Sequence, residues 1–504
     1  MPRNTDLFDL IKSMTPAEKR QLRLTAGGRA DGSNYLQLFD AIDAQEEYDE
    51  GAIRSHFADK AFVRQLHVTK NYLWRQIMKC LRPRYGAAFR QHEIRELIVE
   101  AEILYDRELF DQCRRILDKA ENQAREFECF AELLSVLSWQ RKLTIQLSTV
   151  GNNRNMLLDV IRQEHELLHV LLNLNEYNRL SAGIYDTLDR ERADPDDPAV
   201  RRELAMLESA DQALSLNARI LFYYASQTYA FFQNRHDQAC EAIEANIAML
   251  ESRPRYIREY PRVYVTTLTN YAAVLLHLKR YDKLEATLLR IRELPEELRW
   301  KERSPTMVKV LLQTYNLELE MCRDRGLNKR GLALQAETTA LLNRYRVSAA
   351  RDYHILFAYQ FAYLYFRQGA FNESLEQLNV MFSFGKETER IHVAAYGHML
   401  RLMIYFELGH ITVLKYSIES YRRYINKRSA PMLFEREILR FFARICQAPP
   451  DEHKGILREL WRQLFNEVDG MAAAHPDHFA MFNDYLNIQQ WLGERLNILP
   501  QPVA

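Results

Sequence analysis

The sequence predicts an all-α fold: an α–α superhelix of antiparallel helix pairs, with a helical N-terminal domain and a C-terminal helical cap. Glycine (16) and proline (15) are scarce among the 504 residues, and few chain breakers favour helices. One pattern of apolar residues recurs along the chain at a spacing that fits a helix–turn–helix unit. A chain longer than the roughly 100–200 residues of a typical domain is then expected to be a repeat array rather than one compact core.

The charge balance and the cysteines argue against several classes of protein, such as nucleic-acid-binding and disulfide-rich proteins. Lysine plus arginine and aspartate plus glutamate both total 68, so no net charge attracts nucleic acid or anionic lipid. The six cysteines include no C-x-x-C pair, which favours free thiols over a zinc framework or disulfides. No stretch has the pattern of a signal peptide or the roughly 20 apolar residues of a membrane helix. We therefore expect a cytoplasmic protein without a cofactor.

Residues 1–90 differ from the rest in their charge pattern. Thr15, followed by proline and by Glu18 three positions on, has the composition of a capping box and predicts a helix start. Residues 40–50 hold six acids and no base, whereas residues 60–90 hold eight Lys or Arg and no acid. The sequence therefore predicts a separate helical domain with an acidic and a basic segment.

Residues 91–446 carry the recurring signature. A large side chain at a predicted helix start, called an anchor below, is followed by small or apolar residues three, seven and ten positions on. From His236 onward the anchors are 45, 46, 44 and 40 residues apart, which fits one helix pair per unit. The anchors are Phe110, Tyr177, His236, Tyr281, Leu327, Phe371 and Ile411.

Two features resemble tetratricopeptide repeats. The turns Lys279-Arg280-Tyr281, Gln368-Gly369-Ala370-Phe371 and Leu408-Gly409-His410-Ile411 resemble that family's inter-helix turn. Small residues stand nine positions before three anchors, at Ala101, Ala272 and Ala362. The resemblance implies a concave groove, lined by the first helix of each pair, that binds a peptide. The units exceed the family's length of about 34 residues, and an irregular helical array with the same core stripes is the alternative.

The chain after this array predicts a terminal cap. Pro449 and Pro450 predict a helix break, and residues 451–499 contain enough apolar positions for a last helix pair. The last unit of a repeat array must shield its core from water. We therefore expect this pair to close the array.

The resemblance also suggests side chains for a partner. Polar and aromatic residues recur on the predicted first helices at about one unit's spacing, and by resemblance they face the groove. Packing in the core is the alternative for the tyrosines, because aromatic side chains dominate helical cores. The candidates are Tyr223, Asn270, Tyr271, Tyr315, Asn316, Tyr359 and Tyr363.

A catalytic motif, His-Glu-x-x-His, occurs once, on a predicted helix. His165 and His169 can share a helix face around zinc, with Glu166 as general base. A third ligand is needed, and Asp189 or Glu191 lies at a suitable distance along the chain, but no flanking motif supports either. A zinc metallopeptidase is therefore a weak alternative to two surface histidines.

Residues 62–77 have the rhythm of a DNA-binding helix-turn-helix, with Val68-Thr69 as the predicted turn. The neighbouring acidic segment argues against DNA, so a solvated basic face or a protein-docking surface stays open. The side chains that could contact phosphates are Lys70, Asn71, Arg75, Lys79, Arg82 and Arg84.

The sequence thus predicts a non-enzymatic scaffold or adaptor that binds a protein or peptide. A DNA-linked regulator and a zinc metallopeptidase remain as alternatives.

Overall fold

The computed structural model describes ten stretches of the chain. All regular secondary structure in them is helical, as the sequence predicts. The described residues are 5–26, 34–86, 90–148, 154–187, 198–298, 305–344, 350–384, 391–426, 434–465 and 485–498.

The contacts divide the chain into two compact units, Met1–Ala225 and Ser226–Ala504. This division lies inside the predicted repeat region, so the predicted domain limits at residues 90 and 446 stay predictions. The first unit holds α1 (Asp6–Ser13), α2 (Pro16–Ala26), α3 (Asn34–Ala44), α4 (Glu50–His56), a 3-10 turn (Ala61–Gln65), α5 (Leu66–Gly86), α6 (Arg90–Asp106), α7 (Phe110–Glu126), α8 (Phe130–Ser148), α9 (Arg154–Thr187), α10 (Pro198–Met206), a second 3-10 turn (Ala210–Gln212) and most of α11 (Leu216–Phe232).

In the second unit, helices that follow one another along the chain contact each other in pairs. Its helices are α12 (His236–Glu251), α13 (Pro254–Glu259), α14 (Pro261–His277), α15 (Tyr281–Glu297), α16 (Pro305–Asp324), α17 (Asn328–Ala333), α18 (Gln335–Arg344), α19 (Ala350–Arg367), α20 (Phe371–Ser383), α21 (Ile391–Glu407), α22 (Ile411–Ile425), α23 (Glu435–Ile445), α24 (His453–Phe465) and α25 (Ile488–Leu496).

We call α14, α16, α19, α21 and α23 the first helices of successive pairs. Each of them up to α21 contacts the first helix of the next pair, and each also packs against the second helix before it. The apolar stripe of one pair is thereby buried against the following pair.

The N-terminal helices follow the local signals in the sequence. The Thr15 amide donates to Glu18 Oε2 at 2.8 Å and the Glu18 amide donates to Thr15 Oγ1 at 3.3 Å, which confirms the capping box at the start of α2. Leu38, Phe39 and Ile42 of α3 are completely buried in a cluster with residues of α1 and α5.

Five of the anchors begin helices and Leu327 directly precedes one, because the preceding turns share one geometry. At Gly369 the amide donates to the Phe366 carbonyl at 3.0 Å, and the next amide donates to the Tyr365 carbonyl at 3.0 Å. These two bonds satisfy carbonyls that the helix end leaves free, and they require a left-handed residue two positions before the new helix. That conformation occurs, with φ between 54° and 75°, at Glu108, Asn234, Lys279, Gly326, Gly369 and Gly409.

Burial confirms most of the predicted stripes. Ala101, Ala272 and Ala362, nine positions before their anchors, are completely buried. Ala362 also accepts a hydrogen bond at its carbonyl from Ser374 Oγ at 2.6 Å, which ties the second helix to the first.

Two predicted helix boundaries are wrong. Tyr177 does not begin a helix, because α9 runs without a break for 34 residues; Tyr177 is instead buried on its inner face. Val68 and Thr69 do not form a turn, because they lie within the first turn of α5. The predicted break at Pro449 and Pro450 is confirmed between α23 and α24.

The second half of the predicted cap is described in part. α24 and α25 pack together, and Leu486, Ile488 and Leu492 are buried. Residues 466–484 lie outside the described residues. All six cysteines are free thiols; five are buried and Cys80 is partly buried. Of the helices that the structure describes, none has the length and apolar character to cross a bilayer.

Two adjacent leucines of α15 test the packing of the second unit. Leu288 is 2% exposed whereas Leu289 is 59% exposed. We expect Leu288→Ala to lower the free energy of unfolding by about 2–5 kcal/mol through lost burial and a cavity. Leu289→Ala should change it by less than about 0.5 kcal/mol. Urea denaturation monitored by circular dichroism measures both, and equal losses would contradict the assigned burial.

Candidate functional sites

The two histidines of the His-Glu-x-x-His motif lie together on the exposed face of α9. Their Nε2 atoms are 3.1 Å apart, and the rings meet edge to face with centroids 4.7 Å apart. Glu166 accepts a hydrogen bond from Arg162 Nη1 at 2.9 Å. The spacing of four residues along the helix thus brings together two imidazoles but gives Glu166 a different partner.

A catalytic zinc site requires a third protein ligand. Asp189 and Glu191, the candidates from the sequence, lie outside the described residues. Within the described ranges, no group of three or more His, Cys, Asp or Glu side chains is arranged to hold a metal ion. The structure therefore gives the motif two ligands, and any further ligand must come from elsewhere.

A second histidine pair was not singled out from the sequence. His236, at the start of α12, and His277, at the end of α14, have their Nε2 atoms 3.2 Å apart. Burial, followed by the nearby His277, lowers the pKa of His236. These residues are 41 positions apart, so only the stacking of one turn on the next brings them together.

The predicted phosphate-contacting residues on α5 divide into two sets. Lys70 Nζ donates to Glu50 Oε2 at 2.6 Å and to the Tyr48 hydroxyl, and its side chain is only 13% exposed. The hydrogen bonds from Lys70 and then Arg54 lower the pKa of Glu50 to about 2. The charge of Lys70 is therefore neutralised and shielded from solvent, so Lys70 is not available to contact a phosphate.

The remaining bases form an exposed strip on one face of α5. Arg75, Lys79 and Arg82 are exposed at spacings of four and three residues, and they form no ion pair with the residues that the structure describes. Val68 and Tyr72, each 49% exposed, extend the same face toward the start of the helix. Asn71 is half-buried beside it, and the side chain of Arg84 lies outside the described part.

The acidic segment, residues 40–50, repels a polyanion less strongly than its composition suggests. Asp40 accepts from Arg23 at 2.8 Å, and Asp43 is paired with Lys19. Since Glu50 is held by two bases, three of the six acids are neutralised inside the N-terminal helices. The expected repulsion of a polyanion is reduced accordingly.

The side chains predicted to face a groove are mostly in the core. Tyr271, Tyr315, Tyr359 and Tyr363 are 8%, 6%, 0% and 3% exposed, so their rings are not accessible to a partner. Three of their hydroxyls are paired inside the protein: Tyr271 donates to Glu244, Tyr315 donates to Glu337, and Tyr359 donates to a backbone carbonyl.

The other three candidates are partly accessible. Asn270 is half-buried, and Asn316 is half-buried with Nδ2 donating to Glu320 Oε1 at 2.7 Å. Tyr223 lies half-buried on α11, with its ring edge to face against Phe222 at 5.2 Å. Only the two asparagines are therefore retained as candidates in the second unit.

The first helices of the C-terminal pairs hold a segment that the sequence did not indicate as a ligand. We call residues 485–498 the C-terminal segment; it includes α25. The Tyr359 hydroxyl donates to the Tyr485 carbonyl at 2.8 Å, and the rings of Tyr396 and Tyr485 stack at 4.9 Å with an angle of 5°. The guanidinium of Arg323 also lies over the Tyr485 ring, at 5.6 Å from its centroid.

Charged pairs fix the rest of the C-terminal segment. Arg367 donates two hydrogen bonds to the Glu494 carboxylate, at 2.8 and 3.0 Å. Glu407 accepts from Trp491 Nε1 at 2.7 Å and forms an ion pair with Arg495. Three first helices, α16, α19 and α21, thus contact one helical segment through aromatic stacking and paired charges.

His398 of α21 is a half-buried titratable group that the sequence did not reveal. Its ring stacks on Tyr421 at 5.0 Å and also contacts Phe382 and Tyr424. Burial, followed by the charge of Arg401, lowers the pKa of His398 to about 3. Perturbed groups are frequent at functional sites, but these neighbours are aromatic side chains and a cation, which suits packing better than proton transfer.

No family model matches the chain, and neither a curated protein nor a solved structure matches it significantly.

The lowered pKa of His398 predicts that the folded protein is sensitive to acid. The pKa of this histidine is lower in the folded state than the unfolded value near 6.5, so its contribution to stability is complete above pH 6.5 and is lost as pH falls toward 3. The slope is about 1.4 kcal/mol per pH unit in that window. We expect His398→Phe to lose less stability than the wild type between pH 7 and 5, measured by urea denaturation.

The exposed His410, at the start of α22, provides the control. His410→Phe makes the same substitution at an exposed position and measures the effect of the change of side chain itself. Parallel stability curves for the wild type and His398→Phe would contradict the assignment.

Proposed function

We propose that this protein is a non-enzymatic interaction scaffold, in which a solenoid of helix pairs, similar to tetratricopeptide repeats, binds a helical segment of a partner protein. The ordered contacts between successive first helices support the solenoid. The recurring left-handed turn supports the resemblance, since it gives each pair the same connection.

The observation that carries the proposal is the binding of the C-terminal segment by α16, α19 and α21. The segment lies far along the chain from all three helices, and its contacts resemble those of a protein complex more than those of a local turn. Aromatic side chains and arginine are enriched at protein interfaces, where they anchor a partner in desolvated contacts. The face of these first helices therefore has the chemistry that recognises a helix.

The neighbouring first helix, α14, offers the corresponding surface without an internal occupant among the described residues. The main contacts of α14 are with α12, α13, α15 and α16, and one of its sides stays exposed. That side carries Arg262, Thr266 and Ala273, all exposed, with Asn270 half-buried among them, and it ends at His277, whose ring contacts His236. These positions recur every three or four residues and so form one continuous face. We assign the partner segment to this face.

Site-specific photo-cross-linking tests the assignment in extract from the native cells. A cross-linking amino acid at Thr266 or Ala273 should capture the same partner, because both positions lie on the open face of α14. The exposed Leu289 of α15 and Tyr416 of α22 lie on second helices and serve as controls. Equal capture from all four positions, or no common product from Thr266 and Ala273, would contradict the proposal.

The exposed strip Arg75, Lys79 and Arg82 supports a second candidate function, nucleic-acid binding. Three exposed cations on one helix face can contact phosphates without reading a sequence. Since Val68 and Thr69 continue the helix, such binding would use the side of α5 rather than a helix-turn-helix.

Gel retardation of duplex DNA tests this candidate. If α5 binds phosphates, Arg75→Glu with Lys79→Glu should abolish retardation, and rising salt should weaken it in the wild type. Lys415→Glu with Lys454→Glu makes the same charge change at exposed positions of the second unit and should have little effect. Equal loss in both double variants would indicate a general effect of charge.

A further inference from the structure

The exposed side of α9 carries an apolar stripe that the fold does not use. Leu158, Ile161, Leu168 and Leu172 are 54%, 44%, 47% and 64% exposed. With His165 they recur at alternating spacings of three and four residues, the pattern of a coiled-coil seam. The opposite side of α9 is buried through Leu167, Tyr177, Leu180 and Ile184. A stripe of this length on a helix that is already packed indicates a second helix as its partner.

The histidine pair interrupts the stripe near its middle and has the geometry of half a metal site. Two imidazole nitrogens that bind one zinc ion at 2.0–2.1 Å with a tetrahedral angle are about 3.4 Å apart. The Nε2 atoms of His165 and His169 are 3.1 Å apart, and both side chains are exposed. A small opening of this pair would therefore accommodate a divalent ion that prefers imidazole.

The missing ligands and the uncovered stripe point to the same occupant. A structural zinc site is closed by four protein ligands, and the described residues around the motif provide two. A second copy of the chain would supply two more histidines and an identical apolar stripe. Homo-oligomers with a two-fold axis pair the same patch on both copies.

One register of two antiparallel α9 helices both buries the apolar stripe and brings the histidines of the two copies together. The stripe consists of two alternating sets of positions: 158, 165 and 172, and 161 and 168. In an antiparallel coiled coil, each position of one set packs against a position of the other set on the neighbouring helix. This arrangement places Ile161 of each copy beside Leu172 of the other, and His165 beside Leu168. The two-fold axis then passes between positions 166 and 167, and the midpoint of the histidine pair is position 167. The register that buries the leucines thus brings four imidazoles to the axis.

We propose that two copies of this protein associate through α9 in an antiparallel pair, bridged by one zinc ion that His165 and His169 of both copies bind. This inference is independent of the partner face on α14. Zinc binds the neutral imidazoles through their free nitrogens and displaces any proton that the two rings share, so no redox partner is needed. The stripe on either side excludes water from the site.

Sedimentation velocity of the full chain tests the proposal, with EDTA and then with zinc chloride added in steps. We expect a monomer in EDTA and a doubling of mass that is complete at one zinc ion per two chains. His165→Ala with His169→Ala should remain monomeric at the same zinc concentration. Both residues are exposed, so the fold should be retained, which circular dichroism verifies.

Three matched variants distinguish the zinc-bridged dimer from a peptidase site and from zinc bound by the second histidine pair. His277→Ala removes that second pair and should still dimerise. Glu166→Gln removes the base that a peptidase would need, and it should also dimerise with unchanged zinc stoichiometry. Leu172→Glu should prevent dimerisation while the histidines still bind zinc weakly within one chain. A chain that stays monomeric with zinc, a dimer that survives loss of both histidines, or one zinc per chain without a change in mass would each overturn the proposal.

Discussion

The connection between the two helices of a pair constrains the rest of the second unit. α14, α16, α19 and α21 each end in a turn whose left-handed residue allows two amides to bond the last carbonyls, and the next helix begins two positions later. This geometry fixes the direction in which the second helix returns, and therefore which stripe of the first helix it covers. The remaining apolar side chains can be buried only by the next pair. The contacts between successive first helices thus accompany a local turn that recurs at Lys279, Gly326, Gly369 and Gly409.

This constraint explains which features the sequence could predict. An anchor, a turn residue and a small residue nine positions earlier are local signals, and Tyr281, Phe371 and Ile411 begin helices where they predict. The capping box at Thr15 is equally local. The predicted helix start at Tyr177 is wrong because the apolar stripe is the same whether a helix starts there or continues. Only a turn signal in the sequence distinguishes a new helix from a continuing one. The Val68-Thr69 pair failed for a related reason, since β-branched residues lower the helical propensity without forcing a turn.

The candidate sites depended on contacts that sequence spacing does not encode. A rotation of a first helix by a fraction of a turn decides whether the ring of a tyrosine points into the core or into a groove. The buried hydroxyls of Tyr271 and Tyr315 are paired with glutamates 27 and 22 positions away along the chain, which no local pattern reveals. Likewise, the acidic segment looked repulsive in composition, but Asp40 and Asp43 are neutralised by bases of α2. Residues 165–169 were predicted to be either a catalytic motif or surface histidines, and the surface position is what makes them available to another molecule.

The pairing of Glu407 with the C-terminal segment has a practical consequence for handling this protein. Its carboxylate is 5% exposed and is satisfied by Trp491 and Arg495, which come from the last part of the described chain. A chain shortened before position 485 would leave that charge in an apolar environment and would open the rings of Tyr359 and Tyr396 to water. Shortened versions chosen for crystallisation should therefore keep position 498, and fusion partners are better attached beyond it than in place of it.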